Sequence, residues 1–175
     1  MNIITKFTIA SDEGMDVLMF LTKKLAEEKF LGLLEPDRLA TYITNNFNEK
    51  TLVTELNSMS SQWLVVYVDQ KPVGYARVTS KGKKPISLEN KRAIRIADFA
   101  ILKEYSATEI RQTLFEKCLS ISRHLDGVWI NEYIPNPFIE FFEDNGFARQ
   151  AETCLSDELE LPSICLVRLN NVEKK

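Results

Sequence analysis

The spacing of apolar positions changes several times along this chain, and each change marks an element. Residues 3–9 (IITKFTI) read as a first strand. From Ser11 the period becomes helical: Met15, Leu18, Met19, Leu25 and Ala26 recur on one face, and Ser11 or Asp12 can cap the start. Pro36 opens a second helix, because proline is tolerated in a first helical turn. A third, short helix is expected in NEKTLVTELNSM. The period then shortens. QWLVVYVDQKPVGYARVTS reads as two strands around a turn at Asp69–Pro72, and AIRIADFAIL (93–102) as a strand with polar positions at Arg95 and Asp98. A helix is expected to run to about Leu125, with Leu114, Cys118, Ile121 and Leu125 on one face and Gly127 as its stop. GVWINEY is a strand, PFIEFFEDNGF a helix closed by Asn145–Gly146, and FARQAE and SICLVRL two last strands around the acidic loop SDELELP.

Strands alternating with helices in 175 residues predict one α/β domain over 1–175, a mixed, α+β-like sheet of about seven strands flanked by helices. Composition narrows the function. A net charge of −3 offers no basic stripe for nucleic acid. No apolar run is long enough for a membrane span, and no leader pattern opens the chain. Cys118, Cys154 and Cys165 are scattered without a Cys-x-x-Cys pair, and His124 is the single histidine. A metal centre is therefore not expected, and a reducing cytoplasm fits.

The stretch EYSATEIRQTL (104–114) lies where a strand runs into a long helix, a common place for ligands. Ser106 and Glu109 have capping-box spacing, and Tyr105 and Ile110 that of a hydrophobic staple, so the helix start can satisfy itself. The same N–H groups can instead receive an anion. Both readings stay open at this level.

Three stretches resemble the GCN5-related N-acetyltransferase (GNAT) superfamily. FNEKTLVTELNSMSSQWLVVYVDQKPVGYARV (47–78) is similar to the helix-then-hairpin entry of bacterial polyamine (spermine/spermidine) acetyltransferases, which share an "ELxxxxSQ-aromatic" run. IADFAILKEYSATEIRQTL (96–114) stands where the family has its fourth strand and pyrophosphate loop, and FFEDNGF (141–147) is similar to the family's "FYEKxGF". The resemblance implies acetyl-CoA as co-substrate, a primary amine of a small molecule or peptide as acceptor, and a homodimer within the range of assemblies. It implies that Phe99, Ala100 and Ile101 offer backbone groups to pantetheine. Ser106, Ala107, Thr108, Glu109, Ile110 and Arg111 would meet the pyrophosphate, with Asn136 and Phe142 nearby. Asp98, the only carboxylate on this strand, is the candidate base or water-orienting group, and Tyr133 a candidate substitute for the family's acid.

The departures matter as much. The family's loop, Gln/Arg-x-x-Gly-x-Gly/Ala, reads Ser106, Glu109 and Arg111 here, without its glycines. A Glu109 carboxylate at ~4 Å from a phosphate costs about 1 kcal/mol in water and about 4 at an effective dielectric of ~20. Phe142 stands where many members carry tyrosine, and a phenyl ring donates no proton. Ala97 holds the position of the subgroup's strand glutamate, with Asp98 pointing to the opposite face. Tyr105 and Tyr133 can replace the acid or be packing residues. Asn136 can serve the cofactor or cap its helix. The loop lysines Lys81, Lys83 and Lys84 and the acidic Asp157, Glu158 and Glu160 read as solvated charge unless a ligand draws on them. Two functions follow: an acyl-CoA-dependent N-acetyltransferase, or a non-catalytic domain of the same fold binding another ligand or a protein.

Overall fold

The computed structural model describes residues 1–155 and 158–171, without the side chains of residues 153–155. Asp157 and the Cys154 side chain thus lie outside the described residues. The strands are β1 (Ile3–Phe7), β2 (Ser61–Val68), β3 (Lys71–Thr79), β4 (Ala93–Ile101), β5 (Gly127–Tyr133), β6 (Ala148–Leu155) and β7 (Pro162–Leu169). The helices are α1 (Asp12–Phe30), α2 (Pro36–Asn46), α3 (Glu49–Leu56), α4 (Thr108–Ile121) and α5 (Phe138–Asp144), with a 3-10 turn at Ile86–Leu88. The strands form one seven-stranded sheet in the order β1-β2-β3-β4-β5-β7-β6. It is mixed: β4 and β5 run parallel, whereas β1–β2, β5–β7 and β6–β7 are antiparallel. The expected fold class is the observed one.

Several local rules explain the elements. Ser11 caps α1 by accepting from the Gly14 N–H at 3.1 Å, and Asn48 caps α3 by accepting from Thr51 at 2.9 Å. Asp69 and Gln70, with φ of 47° and 70°, make the tight link between β2 and β3. Pro72 therefore lies inside β3, not in the turn. Gly146, at φ +89°, follows α5 where a left-handed residue closes a helix. Two expectations move. Met19 is exposed, and Leu21 and Phe30 take its place on the buried face of α1. Helix α4 ends at Ile121, short of Leu125, and Gly127 is a buried strand residue rather than a stop. A Cβ at Gly127 would lie 2.9 Å from Leu88 Cδ2 and 3.1 Å from the Arg168 carbonyl, which explains glycine at a position without special φ.

The chain divides into two compact units, Met1–Val78 with Asp98–Cys118, and Thr79–Ala97 with Leu119–Lys175. The first unit's core joins Met15, Leu18, Leu21 and Leu25 of α1 to Leu52, Trp63, Val65, Tyr75, Ala100 and Leu102. The second gathers Leu88, Trp129, Cys165 and Val167, and encloses a ring cluster around Phe142. Gly74, in the first unit, is a close-approach glycine. A Cβ there would meet the Ala100 carbonyl at 2.6 Å and Ile101 Cγ1 at 2.8 Å. Because the first obstacle is backbone, Gly74→Ala is expected to lose about 1–3 kcal/mol of stability, read by chemical denaturation. A neutral result would mean that β3 and β4 separate without cost.

Candidate active site

The polar centre of the first unit is built from α1, β3 and β4. On β4, Asp98 shares its strand face with Ile96 and Ala100, which are buried. On α1, Lys29 falls one helical step beyond Leu25, so it continues the buried face to the helix end. The two meet: Lys29 Nζ donates to Asp98 Oδ1 at 2.6 Å, with side chains only 14% and 19% exposed. The Tyr75 hydroxyl on β3 donates to the other carboxylate oxygen, Oδ2. Tyr75 stacks on Trp63 at 5.6 Å and 23°. Two positions along β3, the Arg77 guanidinium lies over the same indole at 5.7 Å and pairs with Glu55 of α3 at 3.4 Å.

Electrostatics follow from this packing. Burial works to raise the Asp98 pKa. The Lys29 charge, the hydrogen bonds from Lys29 and Tyr75, and the Arg77 charge outweigh it, and the carboxyl is held below its ordinary value. Burial, then the Asp98 charge, pushes Tyr75 well above an ordinary phenol. At neutral pH Asp98 is an anion with both oxygens engaged, and Tyr75 is protonated. Such a carboxylate orients donors well and takes up protons poorly. Of the two implied roles for Asp98, orientation suits this setting better than proton abstraction.

The stretch after β4 differs from the capping-box reading. Leu102 donates to the Val73 carbonyl at 2.9 Å, and Tyr105 to the Leu102 carbonyl at 2.8 Å, which turns the chain. The Tyr105 ring packs against the first unit's core. Helix α4 begins at Thr108, one residue later than a Ser106 cap requires. Ala107, which has no side-chain acceptor, thereby stands before the first helical residue, and its carbonyl receives the Ile110 N–H at 3.1 Å. Ser106, Thr108 and Glu109 are exposed, Ile110 is buried, and Ala107 and Arg111 are half-buried. Arg111 Nη2 donates to Thr108 Oγ1 at 3.2 Å, so a cation lies over the first turn beside Glu109. The side chains of Phe99, Ala100 and Ile101 are buried, leaving their backbone as what they can offer a ligand.

Tyr133, Asn136 and Phe142 belong to the second unit. Tyr133 is 5% exposed at the end of β5, in register with Ser163. Asn136 Oδ1 accepts from the Phe138 N–H at 2.8 Å across Pro137, the residue that precedes α5, and its amide donates to buried Glu132 at 2.6 Å. Phe142 is fully buried among Phe138, Phe141 and Phe147. Cys118 is a core thiol whose pKa burial pushes up, and His124 is exposed. No metal-holding cluster exists among the described residues. No helix among them is long and apolar enough to cross a membrane. Sequence reasoning missed Lys29, Tyr75, Arg77 and Glu132. Its available signal was a charge at a position whose periodic neighbours are apolar.

No family model matches the sequence. Solved structures do. The PaiA N-acetyltransferase of Thermoplasma acidophilum, in complex with coenzyme A, is similar with a TM-score of 0.76 and 14% identity over 97% of this chain and 99% of its own. This chain has the GNAT fold. A GCN5-related N-acetyltransferase from Rhodopseudomonas palustris shares that GNAT fold at TM-score 0.65 and 14% identity, covering 97% and 96% of the two chains. An acetyltransferase from Streptococcus agalactiae does so at 0.66 and 14%, covering 95% and 98%. Within the GNAT fold, the strand bearing Asp98 leads through residues 102–107 into the exposed start of α4.

Proposed function

We propose that the chain is an acyl-CoA-dependent N-acyltransferase, most simply one that transfers acetyl from acetyl-CoA to a primary amine of a small molecule or peptide. The observation that carries this reading is the GNAT fold shared over nearly the full length with acetyltransferases, one of them solved with coenzyme A. The chain's own residues fit such a co-substrate at one place. The start of α4 is exposed, its first helical residue is Thr108, and the Arg111 guanidinium donates to Thr108 Oγ1 one residue from the Glu109 carboxylate. Helix N–H groups with a nearby cation suit a pyrophosphate. The backbone of Phe99, Ala100 and Ile101 suits pantetheine amides.

The reaction needs little more than placement. The neutral amine nitrogen attacks the thioester carbonyl and forms the C–N bond, the C–S bond breaks, the thiolate leaves with the electron pair, and the proton lost by the nitrogen passes to solvent water. Because a thiol pKa is about 8.5, the leaving group is tolerable without a strong acid. Positioning alone supplies several kcal/mol. Asp98, anionic and engaged by Lys29 and Tyr75, orients those two donors rather than taking a proton.

Calorimetric titration with acetyl-CoA tests the proposal. Saturable heat below millimolar ligand is expected, weakened by Arg111→Ala. No heat at millimolar acetyl-CoA with folded protein would overturn it in favour of a non-catalytic domain of the same fold.

A further inference from the structure

The geometry points to Lys29 as a specificity-determining residue: its ammonium occupies the cation position on Asp98, closing that carboxylate to polycationic acceptors and favouring an amine carried on an uncharged, apolar body. The naming of the ligand as an acceptor rests on the acyltransferase reading above, but the cation site does not.

Four observations carry it. Lys29 Nζ is 2.6 Å from Asp98 Oδ1, the separation a bound ligand ammonium would adopt. The Tyr75 hydroxyl donates to Oδ2, so each carboxylate oxygen already carries a donor and the carboxylate's charge is already neutralised by Lys29. The next carboxylate in the cluster, Glu55, is answered by Arg77. Lys29 and Arg77 thus balance Asp98 and Glu55, and the cluster presents no net negative charge to attract a polyamine. Finally, the surroundings of Lys29 are aromatic. Its ammonium lies 6.0 Å from the Phe30 ring centre, and Phe30, Tyr42 and Phe47 contact edge to face at 5.7 Å each. Tyr42 and Phe47 are half-buried and keep part of their surface in solvent. Rings of that kind match an aromatic or aliphatic body better than a charged chain.

The position of Lys29 also explains why an ammonium is retained there. It stands at the last turn of α1, where a cation is favoured by the helix dipole. Its stem follows the buried face of the helix while the charge reaches Asp98.

The test titrates spermidine and phenethylamine, without acetyl-CoA, into the wild-type chain, Lys29→Met and Lys29→Met/Asp98→Asn, with folding checked by circular dichroism. Lys29→Met is expected to bind spermidine at least about tenfold more tightly than wild type, because Asp98 then accepts the ligand's ammonium. Adding Asp98→Asn abolishes the gain. Wild type is expected to bind phenethylamine more tightly than spermidine. Unchanged spermidine affinity in folded Lys29→Met would overturn the inference, as would a gain that survives Asp98→Asn. The reverse ligand order in wild type, which needs no variant, would overturn it as well. Should Lys29→Met fail to fold, the wild-type ligand order decides the inference. Because acetyl-CoA is absent, these titrations can succeed while the acetyl-CoA titration fails, and the reverse.

Discussion

Phe142→Ala is expected to lower the unfolding free energy by about 3–5 kcal/mol, the largest effect of any single change considered. The ring is fully buried, with Phe138, Phe141 and Phe147 centred 6.5, 5.7 and 5.8 Å away. Removing it leaves a cavity lined by three rings held on α5 and at Phe147, directly before β6, which have little freedom to collapse inward. For a chain of this size each kcal/mol moves the thermal midpoint by about 2–4 °C, so a fall on the order of 10 °C is expected. Urea unfolding checks it, and a loss under about 1 kcal/mol would show that the cluster re-packs. Phe142→Tyr sharpens the point. A phenol hydroxyl at this enclosed position is expected to cost about 1–3 kcal/mol for want of a partner. Acetyl transfer is expected not to rise. A rate increase on restoring the tyrosine would show that the ring edge reaches the reacting groups.

The second large effect belongs to Asp98. Asp98→Ala is expected to cost about 2–4 kcal/mol, since it removes the carboxylate to which the half-buried Lys29 ammonium and the buried Tyr75 hydroxyl donate. The figure stands below that for a fully enclosed pair because both side chains keep some solvent contact, 14% and 19%. The sign of the pH dependence follows from the lowered pKa. A depressed folded-state pKa stabilises the protein above the unfolded carboxyl value of about 3.9, and this stability disappears as pH falls through the folded value. Denaturant unfolding from neutral pH downward should therefore show a steeper acid loss in wild type than in Asp98→Asn. Superimposable pH profiles would sink the claim that Asp98 is anionic and paired in the folded chain.

Much of the fold was legible because its signals are local. Ser11 before an apolar period, Pro36 at a helix start, and the change to a period of two after residue 60 each act within a few positions. The start of α4 stayed open between two readings for a related reason. Ser106 and Glu109 match a capping box by spacing, but spacing alone does not show that the helix begins at Thr108 or that Tyr105 packs against the first unit's core. The Asp98 cluster was half legible. Asp98 stands out as a carboxylate in an apolar strand. Lys29, 69 residues away in sequence, looks like one more charge on a lysine-rich helix. Only the count from Leu25 puts it on the inward face. Tyr75 was similarly hidden inside a hairpin whose other residues read as packing.

The interleaved division of the chain has a consequence for synthesis. All of the first unit, including Lys29, Glu55, Tyr75, Arg77 and Asp98, lies within residues up to Cys118. The second unit waits for β7, which ends at Leu169 and pairs with both β5 and β6. Domains of growing chains fold N-terminal part first, at about 5–20 residues per second. Lys29, Tyr75 and Asp98 are therefore all synthesised some seconds before the last strand exists. When the Asp98 carboxylate leaves the ribosome its counter-ion Lys29 and its donor Tyr75 are already made, so it does not wait for the remainder of the chain to supply them.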